Sequence, residues 1–252
     1  YTCLQLYQTL QRSYQLLATT LRDLPERHRS IKAVLDDSWR LLSHEEANIL
    51  QSCSVFQGNF SFNAAAAVTV ASWEGLLRLV EHSLLLQVQD ETRGSCFVLH
   101  ELVRQYAAEK LAQAPAVQQA SMMRHAIYYL GLLHGLEATL LVEFDAQQTI
   151  QREVDNVRAA WLWSAAHGDL GLLTKGLESL QRFYRLAGMY REAIHLLEMA
   201  LVAVRQPVAT DPAVSQPLFL LARVLCATAQ FYRRAGGVEI SERLAAEALA
   251  LG

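Results

Sequence analysis

Phe183-Tyr184-Arg185-Leu186-Ala187-Gly188 recurs 48 positions later as Phe231-Tyr232-Arg233-Arg234-Ala235-Gly236. In the same register Leu196, Ala200 and Leu201 meet Leu244, Ala248 and Leu249. A helix that ends on an aromatic pair and a glycine reverses there, because glycine enters the left-handed region at little steric cost. The small Ala positions let the returning helix approach closely, and the aromatic before the turn wedges between neighbours. Such hairpins cannot bury their apolar faces alone, so they stack. The spacing exceeds the usual repeat period of about 34 residues. A loop over Gln206–Gln216, with Pro207, Pro212 and, just beyond it, Pro217, accounts for the excess.

Apolar spacing predicts helices over about 100–113, 117–142, 149–167, 170–187, 190–204, 214–235 and 238–251, with Gly168, Gly188 and Gly236 at helix ends. Helix, glycine turn and a helix ending in Ala-Leu make a tetratricopeptide-like hairpin. The first part reads differently. A helix over 4–22 breaks at Asp23-Leu24-Pro25-Glu26-Arg27, and Ser30 caps another over 31–42. Ser43-His44-Glu45-Glu46 is a capping box opening a helix to about Phe56. Short helices follow at 62–70 and, after Ser72, at 73–83. Leu84–Gln89 then alternates, Asp90-Glu91-Thr92-Arg93-Gly94 is turn chemistry, and Cys96–Leu99 favours a strand. Three short helices and one hairpin are in the order of a winged helix. The expected fold is therefore mainly α: a winged-helix domain with one small β-hairpin, then a tetratricopeptide-like α-helical superhelix.

The bulk numbers exclude several classes. Of 252 residues, 52% are hydrophobic and 19% charged, with a net charge of -3, so there is no basic excess for gripping nucleic acid. Cys3, Cys53, Cys96 and Cys226 are far apart and form no C-x-x-C pair, which points to reduced thiols of a cytoplasmic protein. There is no run of about 18 apolar residues for a membrane span and no signal peptide. Tyr1 falls within one helical pattern and Gly252 directly follows another, so a segment of a longer protein is expected.

Ordered motifs carry a resemblance across nearly the whole chain. They begin with Arg22-Asp23-Leu24-Pro25-Glu26-Arg27-His28, Asp37-Ser38-Trp39, Leu41-Leu42-Ser43 with Glu46, and Ser54-Val55-Phe56 with Gly58 and Phe60. They continue with Leu76-Leu77, Leu79-Val80, Ser83-Leu84-Leu85, Leu99–Ala107, and Glu153 with Asp155–Ala160, Trp163 and Gly168-Asp169. The chain resembles the region after the nucleotide-binding domain of bacterial STAND-class, NB-ARC-like signalling ATPases with tetratricopeptide tails. The resemblance implies that residues 1–28 end the helical subdomain of an NTPase module. Residues 29–115 would be the winged-helix domain, and 116–252 a helical linker with repeats. It further implies ADP or ATP in the parent protein, docking on that protein's own nucleotide-binding domain, and a protein or small-molecule inducer on the repeats. A winged-helix histidine of a Met-His-Asp-type motif would sense the β-phosphate, and the matching tripeptide here is Leu99-His100-Glu101. The chain departs from the family in having no G-x-x-x-x-G-K-[ST] and no apolar strand ending in paired acids, so no ATP chemistry and no catalytic residue are expected of it alone.

His100 falls between strand and helix, where an imidazole N–H adds to the field of a helix N-terminus and suits an anion. The 73–83 helix, in the place of a DNA-recognition helix, offers Arg78, Glu81 and His82, a poor set for reading bases. Asp36-Asp37, Glu45-Glu46 and Glu153 with Asp155 sit near helix starts, where acids favour the dipole. His125 and His134 share no ligand face, and no metal site is expected. Trp161, Trp163, Phe183, Tyr184, Tyr190, Phe231 and Tyr232 are mostly repeat-core aromatics. Arg182, Arg185, Tyr190, Arg233 and Arg234 are the candidates for a partner groove, against a merely solvated outer face. Two competing classes remain: a winged-helix DNA-binding transcription regulator with a repeat tail, and a free-standing repeat scaffold.

Overall fold

A computed structural model describes residues 31–90, 94–140, 144–210 and 215–251. The expected helix over 4–22 and the subdomain end at 1–28 lie outside them. The chain divides into two compact units, one through Ser121 and one from Met122.

In the first unit, α1 (Ile31–Leu41), α2 (His44–Cys53), α3 (Phe62–Thr69) and α4 (Trp73–Glu81) precede a hairpin of β2 (Leu86–Asp90) and β3 (Gly94–Val98). Between α2 and α3 lies β1 (Phe60–Ser61), and α5 (Glu101–Ala112) follows the hairpin. Three serines start helices by the same chemistry. The hydroxyls of Ser43, Ser61 and Ser72 accept from the backbone N–H groups of Glu46, Ala64 and Gly75, and Glu46 returns a bond to the Ser43 N–H at 2.8 Å. Each such cap contributes about 1 kcal/mol. The sheet is antiparallel in the order β1-β3-β2, with Phe60 opposite Phe97 and Val88 opposite Cys96. This is a winged-helix arrangement with β2 and β3 as the wing. Its core is a chain of rings: Phe56 stacks on Phe60 at 4.1 Å, Phe60 lies 6.2 Å from Phe97, and Trp73 meets Phe97 edge-on at 5.6 Å. Gly75 lets α4 close on α2, since a Cβ there would lie 2.8 Å from the Ile49 side chain.

The strand β1 was not expected from the sequence. Two residues are too few for any periodicity, and only pairing with β3 defines them.

The helix α6 (Pro115–Gly135) runs across the division between the units. The second unit continues with α7 (Phe144–Ala166), α8 (Leu170–Ala187), α9 (Tyr190–Thr210), α10 (Ser215–Arg234) and α11 (Val238–Leu249). These antiparallel helices make tetratricopeptide-like hairpins. Three turns share one bonding pattern. The N–H groups of Gly168, Gly188 and Gly236 donate to the carbonyls of Ala165, Arg185 and Arg233. The next N–H groups, of Asp169, Met189 and Gly237, donate to those of Ser164, Tyr184 and Tyr232. That pair of bonds is the Schellman closure, and it needs the positive φ of 64°, 69° and 91° found at the three glycines. Trp161, fully buried, gives its indole N–H to the Leu196 carbonyl at 2.8 Å and fastens α7 to α9.

Two expectations are corrected here. Pro207 is not in a loop but inside α9, which extends to Thr210. Proline already has a helical φ, but here it forfeits the bond its N–H would make to the Ala203 carbonyl, a cost the rest of the helix offsets. The helix expected at 149–167 begins instead at Phe144, and the one before it stops at Gly135 rather than near 142. Leu196, Ala200 and Leu201 are buried, as are their register mates Leu244 and Ala248. Leu249, the mate of Leu201, is 81% exposed, because no described helix follows α11.

Replacing Trp161 by Ala removes both a buried ring and the bond that ties α7 to α9. A loss of about 3–5 kcal/mol in urea unfolding is expected, while Trp161→Phe costs clearly less because it keeps most of the volume.

Candidate functional site

His100 is the N-cap of α5. Its Nδ1 accepts the Leu102 N–H at 3.3 Å, and the ring is exposed. With Nδ1 accepting, the neutral tautomer carries its proton on Nε2, directed away from the capped turn. The next residue, Glu101, is held by Arg104 through two 2.8 Å bonds and by Gln105 at 2.7 Å. The Arg104 guanidinium keeps the Glu101 carboxyl below its ordinary value. The junction therefore offers one imidazole N–H and a helix N-terminus, beside a carboxylate already neutralised by its neighbours.

On the other side of the wing, α4 exposes Glu74, Arg78 and Glu81, followed by His82, and β2 exposes Gln87 and Gln89. Arg78 is the single cation on that helix. A DNA-reading surface would need more cations for phosphates.

The α5 face toward α1 is structural. Tyr106 donates to Asp36 at 2.7 Å, and the Lys110 ammonium lies 3.7 Å from the same carboxylate and 5.0 Å from the Tyr106 ring centre. The expectation that Asp36-Asp37 and Glu153 with Asp155 sit near helix starts is corrected: both pairs are inside their helices, and Asp36 is used in this clamp.

In the second unit the proposed groove residues separate. Arg182 is committed: its Nε donates to Glu178 at 2.9 Å and another nitrogen to the Glu137 carbonyl at 2.9 Å. Tyr190 is half-buried with its ring 6.2 Å from Phe231. Arg185, Arg233 and Arg234 are exposed, and Arg185 and Arg234 line one cleft with Gln181, Gln230 and Phe231. A larger groove of about 360 Å³ lies between α9, α10 and α11. It is spanned by Arg205 to Glu247 at 2.8 Å and by Tyr232 to Glu198.

Sequence reading missed two polar joints. Arg158 of α7 binds Glu192 of α9, which also accepts the Tyr184 hydroxyl at 2.8 Å. Burial, and then the bond to Glu192, push the Tyr184 phenol above its ordinary value. Deeper in the unit, His125 Nε2 lies 3.3 Å from Asn156 Oδ1, and the Asn156 amide donates to Glu153 at 3.1 Å. All three side chains are buried. The partners are 31 residues apart, so no local motif signals them. Among the described residues no three His, Cys, Asp or Glu side chains gather as metal ligands, and no helix is long and apolar enough to cross a membrane.

Comparison with known proteins gives a partial likeness. No family model matches the chain. Over 202 residues it is 30% identical to "Putative HTH-type transcriptional regulator Rv0890c" of Mycobacterium tuberculosis and equally to "Putative HTH-type transcriptional regulator Mb0914c" of Mycobacterium bovis. The match covers 76% of this chain but 22% of each relative, so the chain spans less than a quarter of their length. Among solved structures, a STAND protein with a tetratricopeptide repeat sensor from Pyrococcus horikoshii aligns over 98% of this chain and 50% of its own, at 14% identity and a TM-score of 0.29. That score is too low to bear on the fold or function of this chain.

Burial pushes the His125 imidazole down to about 4. The unfolded chain binds that proton near the ordinary pKa of about 6.5, so between the two values the unfolded state holds more protons. Stability is therefore complete above about pH 6.5 and falls as the pH drops toward 4, by about 3 kcal/mol in all. Thermal unfolding across this window should show the loss, and His125→Gln should flatten it.

Proposed function

We propose that this chain is a regulatory segment of a larger STAND-type signal-transduction ATPase. The winged-helix unit docks on that protein's own nucleotide-binding domain, and the hairpin unit receives a protein or small-molecule signal. The observation that carries this reading is the His100 cap. One ring nitrogen is fixed by the α5 backbone, and the other is an exposed donor at a helix N-terminus. That arrangement favours an anion, at the position the Leu99-His100-Glu101 motif suggests.

The residues fit the edge of a phosphate site and no more. Bound ADP or ATP would supply the phosphate. This chain supplies His100 and the first turn of α5, while the cradle of backbone N–H groups and a lysine must come from elsewhere in the parent. On this reading the segment does no chemistry by itself, and its work is to hold the nucleotide domain in one state or release it.

The names of the mycobacterial relatives favour a second reading, DNA binding. The mixed charge of α4 and the amide-lined wing weigh against base reading by this module.

In the full-length parent protein, His100→Ser keeps a good N-cap but carries no side-chain N–H. ADP affinity measured by calorimetry should fall by about tenfold with an unchanged melting temperature. Unaltered ADP affinity, or salt-dependent retardation of duplex DNA by this chain in a gel-shift series, would overturn the reading.

A further inference from the structure

Two helices of the second unit carry an excess of basic side chains that the helices returning from them lack. The first helices of the two repeated hairpins, α8 and α10, hold six basic side chains, Lys175, Arg182, Arg185, Arg223, Arg233 and Arg234, against one acid, Glu178. The returning helices α9 and α11 hold three basic side chains against five acidic ones. Stacking puts α8 and α10 next to each other, so this basic excess gathers on two neighbouring helices of a chain whose net charge is -3.

The single acid on those two helices is already used. Glu178 accepts from Arg182 at 2.9 Å and lies 3.5 Å from Arg223. No carboxylate among the described residues pairs with Arg185, Arg233 or Arg234. The helix dipole explains an Arg in the last turn of a single helix. It does not explain an excess of six to one shared by two neighbours.

Arg185 from α8 and Arg234 from α10 converge on one cleft, with the amides of Gln181 and Gln230 beside them and the buried Phe231 ring among its walls. The open space is about 10 Å³, on the order of a single water, so one carboxylate oxygen can seat in it while the rest of the group stays at the mouth. Two guanidinium forks and two amides all offer N–H donors to an acceptor placed there.

We propose that the α8–α10 face binds an acidic peptide segment, with one of its carboxylates held between Arg185 and Arg234. A nucleic-acid strand is the poorer occupant. The cleft admits one small group rather than a continuous backbone, and among the described residues of α8 and α10 Phe219 is the one exposed large aromatic, too few for stacking along a strand. The proposal deepens the sensor reading and rests on it by naming the chemistry of the signal.

The test uses the whole chain and a fluorescein-labelled peptide, Glu-Glu-Leu-Glu-Glu-Phe, followed by fluorescence anisotropy at low salt. Controls are the same peptide with Gln for every Glu and a thymidine oligonucleotide of similar charge. The acidic peptide should bind, weaken with added salt, and lose about tenfold in affinity in the double variant Arg185→Gln, Arg234→Gln. Both side chains are exposed, so that variant should melt like the parent.

Equal binding by the double variant overturns the site. If Arg205→Gln with Arg243→Gln abolishes binding instead, the receiving role stands and the face is wrong. Preference for the oligonucleotide, or no peptide binding at all, removes the acidic-peptide proposal. The sensor reading is then decided separately by ADP affinity in the parent.

Discussion

The second unit depends on a left-handed backbone step taken at Gly168, Gly188 and Gly236. Each of these glycines has positive φ, and a Cβ there would meet nothing within 4 Å. The constraint is therefore the backbone conformation itself, not crowding. A side chain would strain the turn even where there is room for it. Because the two closing bonds recur at all three turns, successive helices reverse in the same way, and helices of like position fall side by side. The aromatic residues before the turns, Phe183 and Phe231, are then brought into equivalent buried places.

The polar features of the unit follow from that regular reversal. Arg158, Glu192 and Tyr184 join α7, α8 and α9, and the Trp161 indole bonds a backbone carbonyl of α9. These bonds lie between helices, where a missing partner would leave a desolvated group costing about 1–3 kcal/mol. Most of the basic side chains on α8 and α10 are not consumed in that way. Arg185 and Arg234 instead line one cleft with no carboxylate paired to either among the described residues, the distribution expected where the complementary charge belongs to another molecule.

Legibility in the sequence tracked the range of the interaction. The glycine turns and serine caps could be read directly, since each depends on one residue type at one position and on bonds within a few residues. The wing hairpin was legible through its alternation and turn chemistry. The strand β1 was not, since two residues show no period, and Pro207 misled because a proline can stand inside a helix at the cost of a backbone bond. The His125–Asn156–Glu153 joint stayed hidden because its members sit on two helices with no motif between them. At the candidate sites, His100 stood out by its place between strand and helix. The pairing of Arg185 with Arg234 needed the fold, since only the stacking of α8 on α10 puts residues 49 positions apart on one cleft.

The two units make different uses of charge at helix ends. At α5 the His100 imidazole caps the N-terminus through Nδ1 and leaves its other nitrogen outward, at a helix end whose dipole attracts an anion. At the ends of α8 and α10 the attraction comes from full guanidinium charges set against C-terminal carbonyls, which already favour cations there. The His100 donor is set instead among backbone groups that are donors too. Held at the edge of a phosphate site, it would add to the field of the helix rather than oppose it.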